Sequence, residues 1–142
     1  MHIQIVKYNS DLQKKSIDLR TKVLREPLNM VYTEEQLAEE SDEIHMVAVK
    51  NENVIGVLLL KKVDANILKM RQVAVDITFQ KSGIGKKLVL FAEAYAIKNN
   101  FKKIVLHARD TAKPFYINLC YSIIGNEFIE VGIPHYKMEK TL

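Results

Sequence analysis

The chain has one cysteine in 142 residues, five glycines, and no apolar run near the ~20 residues that span a bilayer. A lone Cys120 excludes an internal disulfide and a metal site built from several cysteines, and no metal is expected. The first residues, MHIQIVKYNS, carry no long apolar segment of the kind found in secretory leaders. A cytoplasmic protein without a membrane partner is therefore expected. The lysines are spread along the chain with no basic tail. Nucleic acid is not an expected partner, because its binding calls for a denser basic stripe with interleaved aromatics. Internal repeats, low-complexity segments and linkers are missing as well.

What is present reads as one α/β domain spanning 1–142. Apolar residues make up 48% of the chain and charged residues 27%, with a formal charge of +4. A chain of this length buries about two-thirds of its unfolded surface, enough for a real core. The net positive charge permits an anionic partner without specifying one.

The order of elements follows from periodicity. IQIVKY (3–8) alternates as a strand. Leu12, Ile17, Leu19, Val23 and Leu24 recur at helical spacing over 11–25, and Pro27 ends that helix. TEEQLAEE (33–40) opens with Thr33 and Gln36, the spacing of a capping box, and predicts a short acidic helix. Strands 44–50, 54–63 and 67–75, joined by NEN and DAN, form an antiparallel meander. The period then changes. Ile84, Leu88, Phe91, Ala92, Tyr95 and Ala96 lie on one helical face, and Asn99 or Asn100 closes that helix. KIVLHA (103–108) has apolar residues on both faces, so a buried central strand parallel to 67–75 is expected. TAKPFYINL (111–119) reads as a helix with Pro114 in its first turn, and the tail as two strands.

Two of the five glycines stand one residue apart in QKSGIGKKLV (80–89), at the start of the long helix. A glycine there costs roughly 0.5–1 kcal/mol relative to alanine, so something must offset it. The first turn of a helix presents N–H groups without internal partners, and its dipole favours negative charge. Glycine lets a phosphate approach those groups, and Lys81, Lys86 and Lys87 add positive charge. Two familiar phosphate motifs do not fit. A P-loop needs a glycine at the position of Gln80 and Ser or Thr at that of Lys87, and a dinucleotide fingerprint needs a glycine at that of Leu88. On this stretch alone a flexible connection is as good a reading as a diphosphate cradle.

The context adds a resemblance. Preceded by strand RQVAV and begun by Gln80, the segment is Q-x-x-G-x-G, which resembles the coenzyme-A pyrophosphate motif of the GNAT superfamily of N-acyltransferases. FYINLCY resembles the family's F-Y-x-x-L-G-F segment. EFIEVGIPHYKM and RTKVLREPLN resemble one branch, whose small-molecule or peptide amine substrates are unassigned. The resemblance covers nearly the whole chain. It implies a mixed central sheet flanked by helices, an antiparallel meander followed by a splayed parallel pair. It implies acetyl-CoA as co-substrate, its pyrophosphate on Gln80, Lys81, Ser82, Gly83, Ile84, Gly85 and Lys86. It also implies pantetheine hydrogen-bonded along Val73, Ala74 and Val75, with a backbone N–H near Val73 facing the oxyanion.

The chemistry then needs an acid for the thiolate and a base for the amine. Tyr116, the tyrosine of the F-Y segment, is the candidate acid. The base is open among His107, His135, Glu130 and Asp110, with His135 read as lying in a turn between the last two strands. Arg20 and Arg25 either bind an acidic part of the acceptor or solvate a helix, the latter being favoured. Where the family has glycine, often in a left-handed conformation at a helix end, this chain has Cys120, which either takes that conformation at a cost of about 1 kcal/mol or alters the turn locally. Acetyl transfer to a primary amine by direct attack is the leading function. A CoA-binding sensor or interaction domain without turnover is the alternative. The acceptor and the oligomeric state are open, a homodimer included.

Overall fold

The computed structural model describes all of residues 1–142. Its seven strands are β1 (His2–Val6), β2 (Ile44–Lys50), β3 (Asn53–Lys62), β4 (Ile67–Val75), β5 (Lys103–Arg109), β6 (Ser122–Glu130) and β7 (Ile133–Thr141). Four α-helices, α1 (Asp11–Arg20), α2 (Glu34–Ala38), α3 (Ile84–Lys98) and α4 (Lys113–Asn118), complete the order. The strands run β1-β2-β3-β4-β5-β7-β6, with β4 and β5 parallel. This is the expected mixed α/β arrangement of a meander followed by a parallel pair. No helix is long and apolar enough to cross a membrane. Contacts gather the chain into two compact units, 1–61 with 72–92 and 62–71 with 93–142. β4 and α3 each give residues to both.

In the first unit β2 and β3 are buried nearly throughout, with Met46, Val47, Ala48, Val57, Leu58 and Leu59 fully enclosed. That explains their continuous apolar runs. Asn51 and Glu52 join them with φ of 50° and 66°, the positive pair that a two-residue hairpin turn requires. Helix α1 starts at Ser10, whose side chain accepts from the Gln13 N–H at 3.3 Å. Its α geometry stops at Arg20, earlier than the spacing suggests. Thr21–Arg25 forms a wider π turn, and Thr21 Oγ1 bonds back to the Ile17 carbonyl at 2.8 Å. Glu26–Leu28, which contains Pro27, closes the segment as a 3-10 turn. The face of α1 that goes inward is Gln13, Ser16, Leu19 and Arg20, while Leu12 and Val23 are only partly covered. Helix α2 carries the expected capping box, with both Thr33–Gln36 bonds formed.

The first half of α3 buries Ile84, Leu88 and Ala92, as their spacing predicts, and Val89 as well. Fully burying one such leucine stabilises by about 1.5–3 kcal/mol. Gly56 of β3 makes that packing possible. A Cβ there would stand 2.7 Å from Leu88 Cδ1 and 3.2 Å from Ile84 Cγ2.

In the second unit β5 pairs with β7 along its whole length, from Lys103↔Thr141 to Arg109↔His135. Its residues alternate. Ile104, Leu106 and Ala108 are buried while Val105 and His107 are partly exposed, so one face is covered and not both as the composition suggested. Helix α3 ends at Asn100, φ 66°, with the Phe101 N–H on the Ala96 carbonyl. Helix α4 ends the same way. Cys120 takes φ 72°, its N–H bonds the Ile117 carbonyl, and the Tyr121 N–H bonds that of Tyr116. This is a Schellman cap with cysteine in the glycine position.

Candidate active site

The parallel pairing of β4 and β5 ends at Met70↔Leu106, although β4 runs on to Val75 and β5 to Arg109. Two residues further along β4, Gln72 adopts φ 56°, a left-handed residue inside a strand. Past this kink the Asp76 N–H bonds the Ile55 carbonyl of β3 at 2.8 Å. Backbone groups alternate along a strand, so those of Val73 and Val75 face away from β3.

The chain leaves β4 through a 3-10 turn, Ile77–Phe79, capped by Asp76. The Thr78 N–H, and then its hydroxyl, bond the Asp76 carboxylate and hold its pKa below the usual range. Gln80 folds back and its Nε2 donates to the Val75 carbonyl at 3.1 Å, pinning the following turn to the end of β4. Ser82 Oγ bonds the Phe79 carbonyl. Lys81 and Gly83 have φ of 64° and 88°, and α3 begins at Ile84. The first helical bond is Lys87 N–H to the Gly83 carbonyl at 3.0 Å, so the backbone N–H groups from Lys81 to Lys86 have no carbonyl partner. Lys81, Lys86 and Lys87 are exposed around them. A Cβ on Gly83 would meet no atom of the chain within 4 Å, so its glycine answers to φ and to what approaches from outside. The arrangement is a nest of oriented donors at a helix N-terminus, suited to an anion.

A second group of candidates forms on one face of β5, β7 and β6. Glu130 Oε1 lies 3.0 Å from His107 Nδ1, and Oε2 lies 3.6 Å from His135 Nε2. Phe128 packs edge-on to the His107 ring at 5.0 Å between centroids and lies 5.9 Å from the His135 ring. Register explains the grouping, since Arg109 pairs with His135 and His135 with Phe128. A carboxylate only accepts, so His107 Nδ1 carries a proton toward Glu130, and in the neutral ring Nε2 is the acceptor. His107 is also the first residue of β5 beyond the last parallel pair. His135 is not in a turn, which corrects the expectation above. The turn is Val131–Gly132, and His135 is the third residue of β7, its side chain 4% exposed. Its Nδ1 donates to the Ile133 carbonyl at 2.9 Å. Asp110 stands apart, 3.5 Å from Lys113.

Tyr116 is buried on α4, with its ring edge-on to Phe115 at 5.0 Å and to Tyr121 at 5.8 Å. Burial raises its pKa above the ordinary phenol value, so the hydroxyl stays protonated. The inward face of α4 is Tyr116 with Leu119; Phe115 is only partly covered. Beside it Tyr121 donates to Glu93 at 2.9 Å, and Lys140 donates to the other oxygen of Glu93 at 2.9 Å. Burial, then the Glu93 charge, raises the Tyr121 pKa.

Arg20 neither solvates a helix nor stands free. It is fully buried, with a two-pronged bond to Glu40. Tyr32 and Gln72, which bond each other next to it, carried no signal in the sequence, because they lie 40 positions apart in no motif.

The family model for the acetyltransferase (GNAT) domain matches residues 10–142. The uncharacterised N-acetyltransferase YjcF of Bacillus subtilis (strain 168) is 25% identical over 137 residues, covering 96% of this chain and 97% of that protein. Among solved structures, Escherichia coli ElaA superposes with a TM-score of 0.84 at 18% identity, covering 99% of both chains. An aminoglycoside 6'-N-acetyltransferase complexed with coenzyme A superposes with a TM-score of 0.82, also at 18% identity, over 99% of this chain and 97% of the other. At these identities the solved structures establish the fold.

Proposed function

The chain belongs to the GNAT acetyltransferase family, and from that premise we propose that it is a single cytoplasmic N-acetyltransferase domain. It moves an acetyl group from acetyl-CoA to a primary amine of a small molecule or peptide. The observation that carries this reading is the run of unpartnered N–H groups from Lys81 to Lys86 at the start of α3. These donors hold the pyrophosphate, with Gln80 fixing the turn. Pantetheine bonds to the outward backbone groups of Val73 and to the Val75 N–H, an added strand in all but name, while the Val75 carbonyl is held by Gln80. The Val73 N–H then faces the thioester oxygen as negative charge develops there.

An alkylamine has a pKa of about 10.4 and arrives protonated. His107 Nε2 takes its proton, with Glu130 orienting the ring through Nδ1, and His135 contributes to the acceptor side of the same strand face. The amine nitrogen attacks the carbonyl carbon directly and the C–S bond breaks. Tyr116 gives its proton to the departing sulfur. Burial keeps that phenol protonated but also makes the transfer uphill, so the hydroxyl must be held at the sulfur; it is restored by the second proton that the nitrogen sheds on becoming an amide.

The test is an acceptor screen that follows thiol release from acetyl-CoA and the mass of the acetylated product. Release dependent on a primary amine is expected. No release above the uncatalysed rate across the panel, with acetyl-CoA still bound, contradicts transfer and favours the CoA-binding sensor.

A further inference from the structure

The side chains of α1 and the segment before α2 reach the kink of β4 through contacts that no step above uses. Arg20 Nη1 and Nη2 donate to the two oxygens of Glu40 at 2.9 and 2.8 Å. Burial alone lowers a guanidinium pKa; here the bonds and charge of Glu40, aided by Tyr32, outweigh it. Arg20 is thus a fixed cation. Its guanidinium carbon and that of Arg25 each lie 4.6 Å from the centre of the Tyr32 ring. The ring is set between a π turn and a buried ion pair, and its hydroxyl donates to Gln72 Oε1 at 2.5 Å. Gln72 is the residue with φ 56°, adjacent to Val73. A non-glycine residue in that conformation within a strand persists only where its surroundings over-determine it. The Tyr32 hydroxyl supplies one such determinant.

From this chain of contacts we infer that Tyr32 is a positioning residue, which fixes Gln72 in its left-handed conformation and thereby aims the Val73 N–H at the thioester carbonyl. The inference rests on the acetyl-transfer reading for what that N–H does. That Tyr32 holds the kink stands without it.

The experiment is a double-mutant cycle on Tyr32→Phe and Gln72→Leu, with Gln72→Glu as the conservative variant that still accepts a hydrogen bond. Losing an oxyanion donor costs about 10²–10³ in kcat, and misaiming one costs part of that, about tenfold. Tyr32→Phe and Gln72→Leu should each lower kcat about tenfold, with a smaller rise in the KM for acetyl-CoA. The double variant should be no slower than either single, because both remove one bond. In Gln72→Glu, which keeps an acceptor for Tyr32, the amide shift of Val73 in the ligand-free protein should stay near wild type. Wild-type kcat in Tyr32→Phe, or additive losses in the double variant, overturns the proposal. Amide spectra of the ligand-free protein separate it from the reading beneath. Shifts of Gln72 and Val73 that do not move in Tyr32→Phe overturn it whatever the activity. Shifts that move in a protein with no acetyl transfer retain the anchor and defeat only the catalytic reading.

Discussion

At the turn from Lys81 to Lys86 the groups proposed to hold the cofactor are backbone donors that no carbonyl of the chain occupies. On the face of β5, β7 and β6 the chemical groups are side chains already bonded to one another, His107 to Glu130 and His135 to the Ile133 carbonyl. The first region is defined by the conformations of a few contiguous residues. The second is defined by strand register, which brings positions 107, 130 and 135 together from three strands. A backbone site tolerates changes of side chain and is lost through conformation. A side-chain site tolerates backbone adjustment and is lost through one deleted atom. The two regions should therefore fail in different observables, the turn in cofactor affinity and the strand face in turnover and acceptor kinetics.

The largest effects should come from single groups on the chemical side. Tyr116→Phe removes only a hydroxyl and should lower kcat by about 10²–10⁴, as for loss of a positioned acid. Cofactor affinity, read by calorimetry, should stay unchanged. A kcat within about twofold of wild type, with chemistry rate-limiting, removes Tyr116 from the reaction. His107→Gln should cost a similar factor if its Nε2 is the base, and a kcat near wild type moves the base elsewhere.

A smaller effect is expected at His135. His135→Gln should raise the acceptor KM about tenfold, the value of one hydrogen bond involving a charged group, and leave acetyl-CoA affinity alone. Unaltered acceptor kinetics would make that histidine structural, in keeping with its burial.

The smallest effects concern the fold around Tyr116. Cys120 occupies a left-handed position, so Cys120→Gly should stabilise by about 1 kcal/mol in denaturant titration without altering turnover. Tyr116 and Tyr121 both have raised pKa values in the folded chain. The unfolded chain loses those protons first, near pH 10, so stability should be level below that pH and fall as pH rises above it. A Tyr121→Phe variant should show a shallower alkaline fall, measured by melting temperature against pH.

The turn was legible in the sequence because its determinants are local. A Gln, two glycines and flanking lysines between a strand and a helix allow a donor-lined bend and a flexible connection equally, and the resemblance decided between them. Cys120 was legible for the same reason, as a departure from glycine at a helix end, and of its two options the structure takes the left-handed one. The meander and the parallel pair after it were legible from the change of hydrophobic period beyond strand 67–75, but the placing of β7 between β5 and β6 was not. The faces were harder. Leu19 of α1 is buried as its spacing predicts, yet Ile17 is not, and the rest of the buried side is Gln13, Ser16 and Arg20, the last admitted to the interior by its ion pair with Glu40. His135 read as a turn residue because it follows Gly-Ile-Pro, but the turn ends at Gly132 and β7 takes up Pro134 and His135. Gly56 looked like any strand residue, and its role depends on two side chains of a helix about 30 positions away. The Tyr32–Gln72 bond likewise depends on tertiary placement, which no local spacing encodes.

The account rests on the turn holding acetyl-CoA through its backbone, and one pair of variants tests that directly. Gly83 and Gly132 have φ of 88° and 78°, and a Cβ at either meets nothing within 4 Å. Valine therefore brings similar backbone strain at both positions, but only Gly83 lies among the unpartnered N–H groups. Isothermal titration of acetyl-CoA should show Gly132→Val binding as wild type and a folded Gly83→Val binding at least about tenfold more weakly, a loss of ~1.4 kcal/mol or more. Equal affinity in the two variants would contradict the account.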